Sequence, residues 1–299
     1  MRSNGHSVLV APHRTTTPDA PTQPAATPFL KWAGGKTQLL GQFSRFFPPR
    51  GTYEKYLEPF IGSGAVFFRL RPGEAHLADN NDDLINCYKQ IQGHVEAVVE
   101  LLRLHKRLHS KRYYYKIRAL NLQDLSPIER AARFIYLNKT CFNGLYRVNS
   151  RGGFNVPMGR YSNPPILDEK ALQAVYGALR GVSLHFMEFE RFCDEFAGKG
   201  DFVYFDPPYY PVSKTANFTS YTAGAFREED QLRLRDIFEK LDRRGCLLML
   251  SNSDTSFIRK AYKTYRKTTF KVSARRAINS SAKKRGPISE LVVLNYQPK

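Results

Sequence analysis

The sequence predicts an α/β fold interrupted by a mostly helical insertion, and three observations support this prediction. Short apolar runs alternate with helical patterns over residues 53–92, as expected for a parallel sheet covered by helices. Residues 94–140 carry only helical periodicity, and the alternation resumes near Val182. We therefore assign residues 28–84 and 186–299 to one α/β domain and residues 85–185 to a helical insertion.

The composition favours a polyanionic partner. The 299 residues include 46 Lys or Arg and 27 Asp or Glu, which gives a net charge of +19 at pH 7. Such an excess is typical of proteins that bind nucleic acid, although a basic surface that serves only solubility has the same composition. An anionic membrane is disfavoured as the partner, because no strongly amphipathic basic helix with an aromatic face stands out.

Other classes of protein are also disfavoured. No apolar run reaches the length of a membrane span, and the N-terminal apolar run is too short for a signal peptide, so we expect a cytoplasmic, DNA-associated protein. The cysteines show no C-x-x-C spacing and no clustered histidines, which predicts neither a metal site nor a disulfide framework. The four cysteines are Cys87, Cys141, Cys193 and Cys246.

The first ordered feature is predicted to be a glycine turn. Residues 1–27 are rich in Pro, Thr and Ala without periodicity, so we expect a disordered tail there. Gly34-Gly35 then permits a tight turn with close backbone approach, and helical spacing predicts a helix over 37–47. Trp32, the only tryptophan, lies beside Lys31 and Lys36. The alternative interpretation is a buried core Trp with solvated lysines.

A second glycine turn follows a predicted strand over 53–60. Residues 61–64 form the turn and residues 65–70 a helix, an arrangement that brings backbone close to a nucleoside-like ligand. Asp79 ends the next strand, where an acid can accept hydrogen bonds from ribose hydroxyls. A capping role is the alternative for Asp79, and we expect Asp82 or Asp83 to cap the helix over 84–92.

The insertion is predicted to contain a helix start and an exposed segment. Ser126 and Glu129 form a capping box with Pro127 at the first helical position. Basic residues, aromatics and glycines then interleave over 138–161, where arginine and asparagine can read base edges and an aromatic tip can enter the stack. An ordinary glycine-rich loop is the alternative, but long loops in compact domains are usually functional.

A candidate reactive site follows the apolar run 202–205. Asp206 and the carbonyl of Pro207 are hydrogen-bond acceptors, which suit an NH₂ group, and Pro208 stiffens the turn. Tyr209 offers a flat face for a planar base. The site is thus suited to an exocyclic amine on a heteroaromatic ring. The alternative is an Asx-type turn with Tyr209 merely packed.

Helix and strand patterns alternate over the rest of the chain. Helices are predicted over 168–179, 228–241 and 256–262, and strands over 182–187, 246–250, 268–272 and 290–296. The segment between the last two strands carries Arg275, Arg276 and a second basic cluster at 283–285, which are expected to touch phosphates. A solvated hairpin end is the alternative.

Taken together, the motifs resemble those of the Dam-type DNA adenine-N6 methyltransferases, in the same order, over about residues 29 to 296. The segments that carry the resemblance are 29–36, 58–64, 77–79, 136–138, 142–145, 153–157, 159–161, 205–209, 215–218 and 251–252.

The resemblance implies a Rossmann-like seven-stranded methyltransferase sheet, a helical DNA-recognition insertion, S-adenosylmethionine as methyl donor and double-stranded DNA as partner. It also implies roles for individual residues. Asp206, Pro207, Pro208 and Tyr209 hold the target adenine; Trp32, Lys36, Phe60, Gly62, Asp79 and Asp206 bind the cofactor or shape its pocket; Lys31, Phe142, Asn143, Leu145, Arg147 and Pro157 read or wedge the DNA.

The implied target is GATC, although Phe142 stands where the best-known relatives have Tyr. The adenine must be flipped out of the duplex, and Asp206 and the Pro207 carbonyl accept its two N6 hydrogens so that the lone pair faces the donor methyl. Two other functions stay open: methyl transfer to RNA or cytosine N4, and DNA binding without catalysis on the same fold.

Overall fold

The computed structural model describes residues 25–212, 226–275 and 287–298. Its strands are Tyr56–Glu58 (β1), Ala75–Asp79 (β2), Ser183–Phe186 (β3), Phe202–Phe205 (β4), Leu247–Ser253 (β5), Thr269–Arg275 (β6) and Pro287–Leu294 (β7). They form one sheet in the order β3-β2-β1-β4-β5-β7-β6. β7 is antiparallel to β5 and β6, and the other pairs are parallel. The predicted seven-stranded α/β fold is confirmed.

The helices of the described residues surround this sheet. They are Leu40–Phe43 (α1), Ala65–Leu70 (α2), Asp82–Leu108 (α3), Lys111–Arg118 (α4), Pro127–Thr140 (α5), Glu169–Leu179 (α6), Phe189–Phe196 (α7), Glu228–Arg244 (α8) and Ser256–Ala261 (α9).

Two local predictions were wrong. The helix predicted over 37–47 is only a 3₁₀ turn, Lys36–Gln38, followed by the four residues of α1, because no side chain caps α1 and Gly41 lies within it. The cap of α3 is Asn81 rather than Asp82 or Asp83: its side chain accepts a hydrogen bond from the Leu84 amide at 3.0 Å. The two aspartates occupy the first turn, where a negative charge suits the helix dipole.

The sheet has an apolar core on each face because successive strand residues point to opposite sides. Phe202 and Tyr204 of β4 join the core that also contains apolar residues of α2–α6, whereas Val203 and Phe205 join the core formed with α7, α8 and α9. The helices of the predicted insertion thus share a core with the sheet. The boundaries at 84/85 and 185/186 fall inside α3 and β3, and the division into domains stays a prediction.

The parallel strands bring three acidic residues to one edge of the sheet. β1 lies between β2 and β4, and these strands end in Glu58, Asp79 and, one residue after β4, Asp206. The strand order reverses between β1 and β4, and in open α/β sheets ligands bind in the crevice at such a point.

No helix among the described residues is long and apolar enough to cross a bilayer.

The predicted capping box at the start of α5 is confirmed, and it generates a stability prediction. The Ser126 hydroxyl accepts from the Glu129 amide at 3.3 Å, and the Glu129 carboxylate accepts from the Ser126 amide at 2.9 Å. We expect Ser126→Ala to lower the free energy of unfolding by about 1 kcal/mol, measured by chemical denaturation. Ser126→Thr keeps the hydroxyl and is the matched control. Equal stability of Ser126→Ala and the parent chain would contradict the prediction.

Candidate active site

An open cavity of about 530 Å³ lies at the carboxyl edge of β1, β2 and β4. Residues from several distant parts of the sequence line it, including the turn 32–36, the glycine turn 60–63, residues 79–81, Tyr146 and the loop 206–209. All residues predicted to bind the cofactor or hold the target base therefore lie around one space. Its size is that of a site for a drug-sized ligand.

An ion pair joins the first of these segments to the last. The Lys36 ammonium lies 2.8 Å from Asp206 Oδ1, with the Lys36 side chain 4% and the Asp206 side chain 19% exposed. The Ser251 hydroxyl donates to the same oxygen at 3.0 Å. Burial raises the pKa of Asp206, and Lys36 and Ser251 offset part of that rise. Every contact that the structure shows between this carboxylate and the described residues goes to Oδ1, so Oδ2 keeps its acceptor capacity.

Two buried amides fix the loop that follows Asp206. Gln231 of α8 donates to the Pro208 carbonyl at 2.8 Å, and Asn252 of β5 accepts from the Tyr210 amide at 3.2 Å. Asn252 also donates to Gln231 at 2.9 Å, and both side chains are fully buried. The backbone of the Asp-Pro-Pro-Tyr loop is thus tied to two elements of the core. Gln231 was missed by the sequence analysis, although it is a polar residue on the apolar stripe of α8.

Tyr209 is held in place from two sides. Its hydroxyl donates to Glu290 of β7 at 2.6 Å, and the Lys36 ammonium lies 4.6 Å from the centre of its ring. Burial raises the pKa of Glu290, and the nearby Lys36 and the hydrogen bond from Tyr209 offset part of this rise. Glu290 was not predicted as a site residue. Its only signal in the sequence is its position directly before the apolar run 291–294.

Glu58 adds another buried acid to the cavity wall. It is 2% exposed and accepts a hydrogen bond from the Tyr56 hydroxyl at 2.8 Å. Burial raises its pKa well above the ordinary value, the hydrogen bond from Tyr56 lowers it and the nearby Asp206 raises it further. We therefore expect Glu58 to hold a proton more readily than an exposed glutamate does.

The opposite wall is formed by Trp32, Gly62 and Asp79. Gly62 has a φ of +47°, and a Cβ there would lie 2.8 Å from the Trp32 ring, so only glycine lets the indole lie against this turn. Asp79 accepts hydrogen bonds from the amides of Gly62 at 3.2 Å and Asn81 at 3.1 Å. Burial raises the pKa of Asp79 to about 6, although these amides act in the opposite direction. Phe60, at the rim, packs against Phe189 with ring centroids 5.4 Å apart.

The predicted DNA-contact residues of the insertion lie on an irregular hairpin, residues 141–159, which we call the recognition hairpin. Isolated bridges join Cys141 to Met158 and Val148 to Phe154, and the Phe142 amide donates to the Pro157 carbonyl at 2.9 Å. Phe142, Asn143, Arg147 and Pro157 are exposed, and Leu145 is half-buried.

Within the hairpin, the Arg147 side chain donates a hydrogen bond to the Asn155 side chain at 2.6 Å. Asn143 has a left-handed φ of +55°. Asn is one of the few residues with a Cβ that tolerate this conformation. The turn therefore places Phe142 and Asn143 side by side and exposed, next to the Cys141–Met158 bridge at the base of the hairpin.

Lys31 is fixed next to the recognition hairpin by an amide. The Asn138 side chain accepts from the Lys31 amide at 2.8 Å and donates to the Lys31 carbonyl at 2.7 Å, and it also donates to the Gly144 carbonyl at 3.1 Å. The Lys31 ammonium bonds to the Tyr161 hydroxyl at 3.1 Å. The side chain of Arg275 and all of Arg276, like the motif at 215–218 and residues 1–24, lie outside what the structure describes.

Among the described residues, no group of three or more His, Cys, Asp or Glu side chains is arranged to hold a metal ion. The four cysteines are buried free thiols.

Comparison with known proteins agrees with the geometry of the site. The model of the D12 class N6 adenine-specific DNA methyltransferases matches residues 32–278. The sheet, the acidic strand edge and the match over most of the chain define a DNA-modifying methyltransferase.

Three relatives illustrate the similarity. "Type II methyltransferase M1.LlaDCHI" of Lactococcus lactis subsp. cremoris is 45% identical over 90% of this chain and 95% of its own. "Type II methyltransferase M.MjaIII" of Methanocaldococcus jannaschii is 45% identical over 90% and 99%, and the "DNA adenine methylase" of Escherichia coli K12 is 37% identical over 90% and 95%. The chain belongs to the D12 class of adenine-N6 DNA methyltransferases, which confirms the resemblance seen in the sequence.

The contact between Gly62 and Trp32 generates a spectroscopic prediction. We expect Gly62→Ala to displace the indole, because the new Cβ would lie 2.8 Å from the ring. Since Trp32 is the only tryptophan, the emission maximum and the quenching of the protein by acrylamide should both change. Gly93→Ala is the matched control, because a Cβ at Gly93 meets nothing within 4 Å. Identical emission of Gly62→Ala and the parent chain would disprove this account of the turn.

Proposed function

We propose that the chain transfers the methyl group of S-adenosylmethionine to N6 of an adenine flipped out of duplex DNA, within the sequence GATC. The observation that carries the proposal is the position of Asp206 in the cavity, with Oδ1 bound by Lys36 and Ser251 and Oδ2 available to an incoming amine.

Several residues that line the cavity are suited to binding S-adenosylmethionine. The Trp32 indole offers a flat face, the Gly62 turn allows close backbone approach, and Asp79 lies at the end of β2, where ribose hydroxyls are bound in related folds. Asp79 and Asp206 place carboxylates in the cavity lining, which favours a positively charged ligand, whereas Glu58, with its strongly raised pKa, adds less negative charge. When bound, the sulfonium supplies an already activated methyl group, so the protein has to bind and orient.

At the target base, the proposed work of the chain is orientation of the amine. Asp206 Oδ2 and the Pro207 carbonyl accept the two N6 hydrogens, which turns the nitrogen lone pair toward the donor. Tyr209, fixed by Glu290 and Lys36, provides the ring on which the adenine stacks. Because the pKa of Asp206 is raised, its carboxylate is a better acceptor for the proton that N6 loses after transfer than a free aspartate would be.

Access to the amine requires base flipping, which costs a few kcal/mol of stacking and pairing. Phe142, 48% exposed on the recognition hairpin, is suited to fill the space that the adenine leaves. Lys31, Asn143, Leu145, Arg147 and Pro157 are proposed to contact the bases, and Arg275 and Arg276 the phosphates. The net charge of +19 supports a duplex partner.

The GATC target rests on the resemblance of the recognition hairpin to that of the Dam-type enzymes. Labelled-methyl transfer to duplexes that contain GATC, or GATC with one pair changed, tests it directly. Methylation of all duplexes at similar rates would overturn the GATC assignment and leave adenine methylation intact. RNA and cytosine-containing substrates in the same panel test the two other acceptors, which no observation favours.

The role of Asp206 generates a kinetic prediction. We expect Asp206→Asn to lower single-turnover methyl transfer on the order of 10²–10³-fold, because an amide neither accepts as strongly nor takes up a proton. Duplex binding, measured by fluorescence anisotropy, should persist. Asp236→Asn is the matched control, since this side chain lies on α8 and is 63% exposed. Near-normal turnover of Asp206→Asn would remove Asp206 from the mechanism.

The raised pKa of Asp79 generates a pH prediction. The ionised carboxylate is the form that accepts from ribose hydroxyls, so cofactor affinity should be full above the pKa of about 6 and fall as the pH drops below it. Asp79→Asn should weaken binding and remove this pH dependence. Titration of S-adenosylmethionine against Trp32 fluorescence between about pH 5 and pH 8 measures both effects. A parent chain whose affinity does not vary over this range would contradict the assignment.

A further inference from the structure

Tyr146 belongs to the recognition hairpin but lines the cavity proposed for the cofactor. Its ring stacks on Trp32, with centroids 5.8 Å apart and planes 25° from parallel. Trp32 in turn lies against the Gly62 turn. A segment whose exposed residues are proposed to contact DNA therefore also forms part of the wall of the proposed cofactor site.

The Tyr146 ring is fixed by neighbours other than Trp32. It packs against Phe134 of α5 at 5.4 Å and Phe154 of the hairpin at 6.0 Å, and its hydroxyl donates to Asp83 of α3 at 3.2 Å. Arg130 binds the other oxygen of Asp83 at 2.6 Å. The position of Tyr146 thus depends on the hairpin and on two long helices, which leaves little freedom for independent movement.

A second link ties the same two segments through their backbones. The buried Asn138 amide bonds to both the N–H and the carbonyl of Lys31 and to the carbonyl of Gly144. The Lys31 side chain lies so close to Gly144 that a Cβ there would be 2.5 Å from it. The turn after Phe142 and the residue before Trp32 are therefore expected to move together.

We propose that Tyr146 is a positioning residue that couples the recognition hairpin to the cofactor wall, so that target DNA and S-adenosylmethionine each tighten the binding of the other. The inference rests on the proposed function, since it takes Trp32 as part of the cofactor site and the hairpin as a DNA contact. DNA that orders the hairpin also orders the indole through the Tyr146 ring, and thermodynamic linkage makes the effect reciprocal.

A tyrosine that only fills space gives a different expectation. Its removal lowers the stability of the fold and can weaken the binding of each ligand separately. It leaves unchanged the ratio of two cofactor affinities, one measured with DNA and one measured without DNA. That ratio, the coupling factor, therefore distinguishes positioning from packing.

The test compares the affinity for S-adenosylmethionine, measured by calorimetry, with and without a saturating duplex that the parent chain methylates. We expect a coupling factor of about 5 or more in the parent chain and a value near one in Tyr146→Leu, with the same loss in the reverse titration of DNA. Tyr146→Phe should keep the coupling, because it retains the ring. Tyr176→Leu, on the exposed face of α6, is the matched control.

The fluorescence of Trp32 gives a second readout. Duplex alone should change Trp32 emission in the parent chain and in Tyr146→Phe, but not in Tyr146→Leu. If Tyr146→Leu does not fold, Tyr146→Met replaces the ring by a flexible apolar chain and carries the same comparison.

An unchanged coupling factor in a folded Tyr146→Leu or Tyr146→Met overturns the proposal, and so does a parent chain that methylates DNA without any coupling. Failure of the proposed function has a separate signature, because the parent chain would then bind no S-adenosylmethionine or transfer no methyl group.

Discussion

The ion pair between Lys36 and Asp206 is the contact on which the site depends. A lysine that is only 4% exposed needs a partner, and removal of one member of such a pair leaves an uncompensated charge in a place from which water is largely excluded. The pair fixes the turn after Trp32 to the end of β4, so the two segments that wall the cavity hold each other. It also offsets part of the burial that raises the pKa of Asp206. An ionised carboxylate has two acceptor oxygens, of which Lys36 binds one and the other is proposed to accept from an amine.

Around this pair, residues of the core fix other residues of the site by hydrogen bonds. Gln231 and Asn252 fix the loop after Asp206, Glu290 fixes Tyr209, and Asn138 fixes Lys31. Each partner is supplied by a helix or strand of the core rather than by the loop itself. Precise orientation of an amine requires such support, because a small displacement of the acceptors would misalign the lone pair. The sheet edge and the recognition hairpin thus meet at Trp32, where Tyr146 brings the hairpin into the wall of the cavity.

The sequence predicted what depends on local pattern. The alternation of apolar runs predicted an α/β fold, the Ser-Pro-Ile-Glu box predicted the start of α5, and Asp79 and Asp206 were each predicted at the end of a strand. Local pattern gave a wrong prediction at α1, because the helical spacing there is not accompanied by a capping residue. It also gave the wrong cap for α3, because Asn81, Asp82 and Asp83 are adjacent and each is a possible cap. Sequence pattern did not predict the roles of Glu290, Gln231 and Tyr146, because these roles arise from contacts between residues far apart in the chain. The motifs at 136–138 and 251–252 marked Asn138 and Asn252 without revealing what their amides hold.

The distribution of charge reconciles two demands that oppose each other. Duplex DNA requires a positive surface, whereas a sulfonium donor is favoured by acids around its site. The chain carries a net charge of +19, and in the proposed function it meets the second demand with Asp79 and Asp206, which line the cavity. Glu58 and Glu290 add less negative charge, because burial raises the pKa of both. Lys36 offsets the charge of Asp206 directly, since the two groups lie 2.8 Å apart, and the Lys31 side chain lies against Gly144 of the recognition hairpin. In the proposed function the group that enters the cavity is a neutral adenine, which meets no net-charge Coulomb penalty at an acidic site, whereas a phosphate would be repelled there.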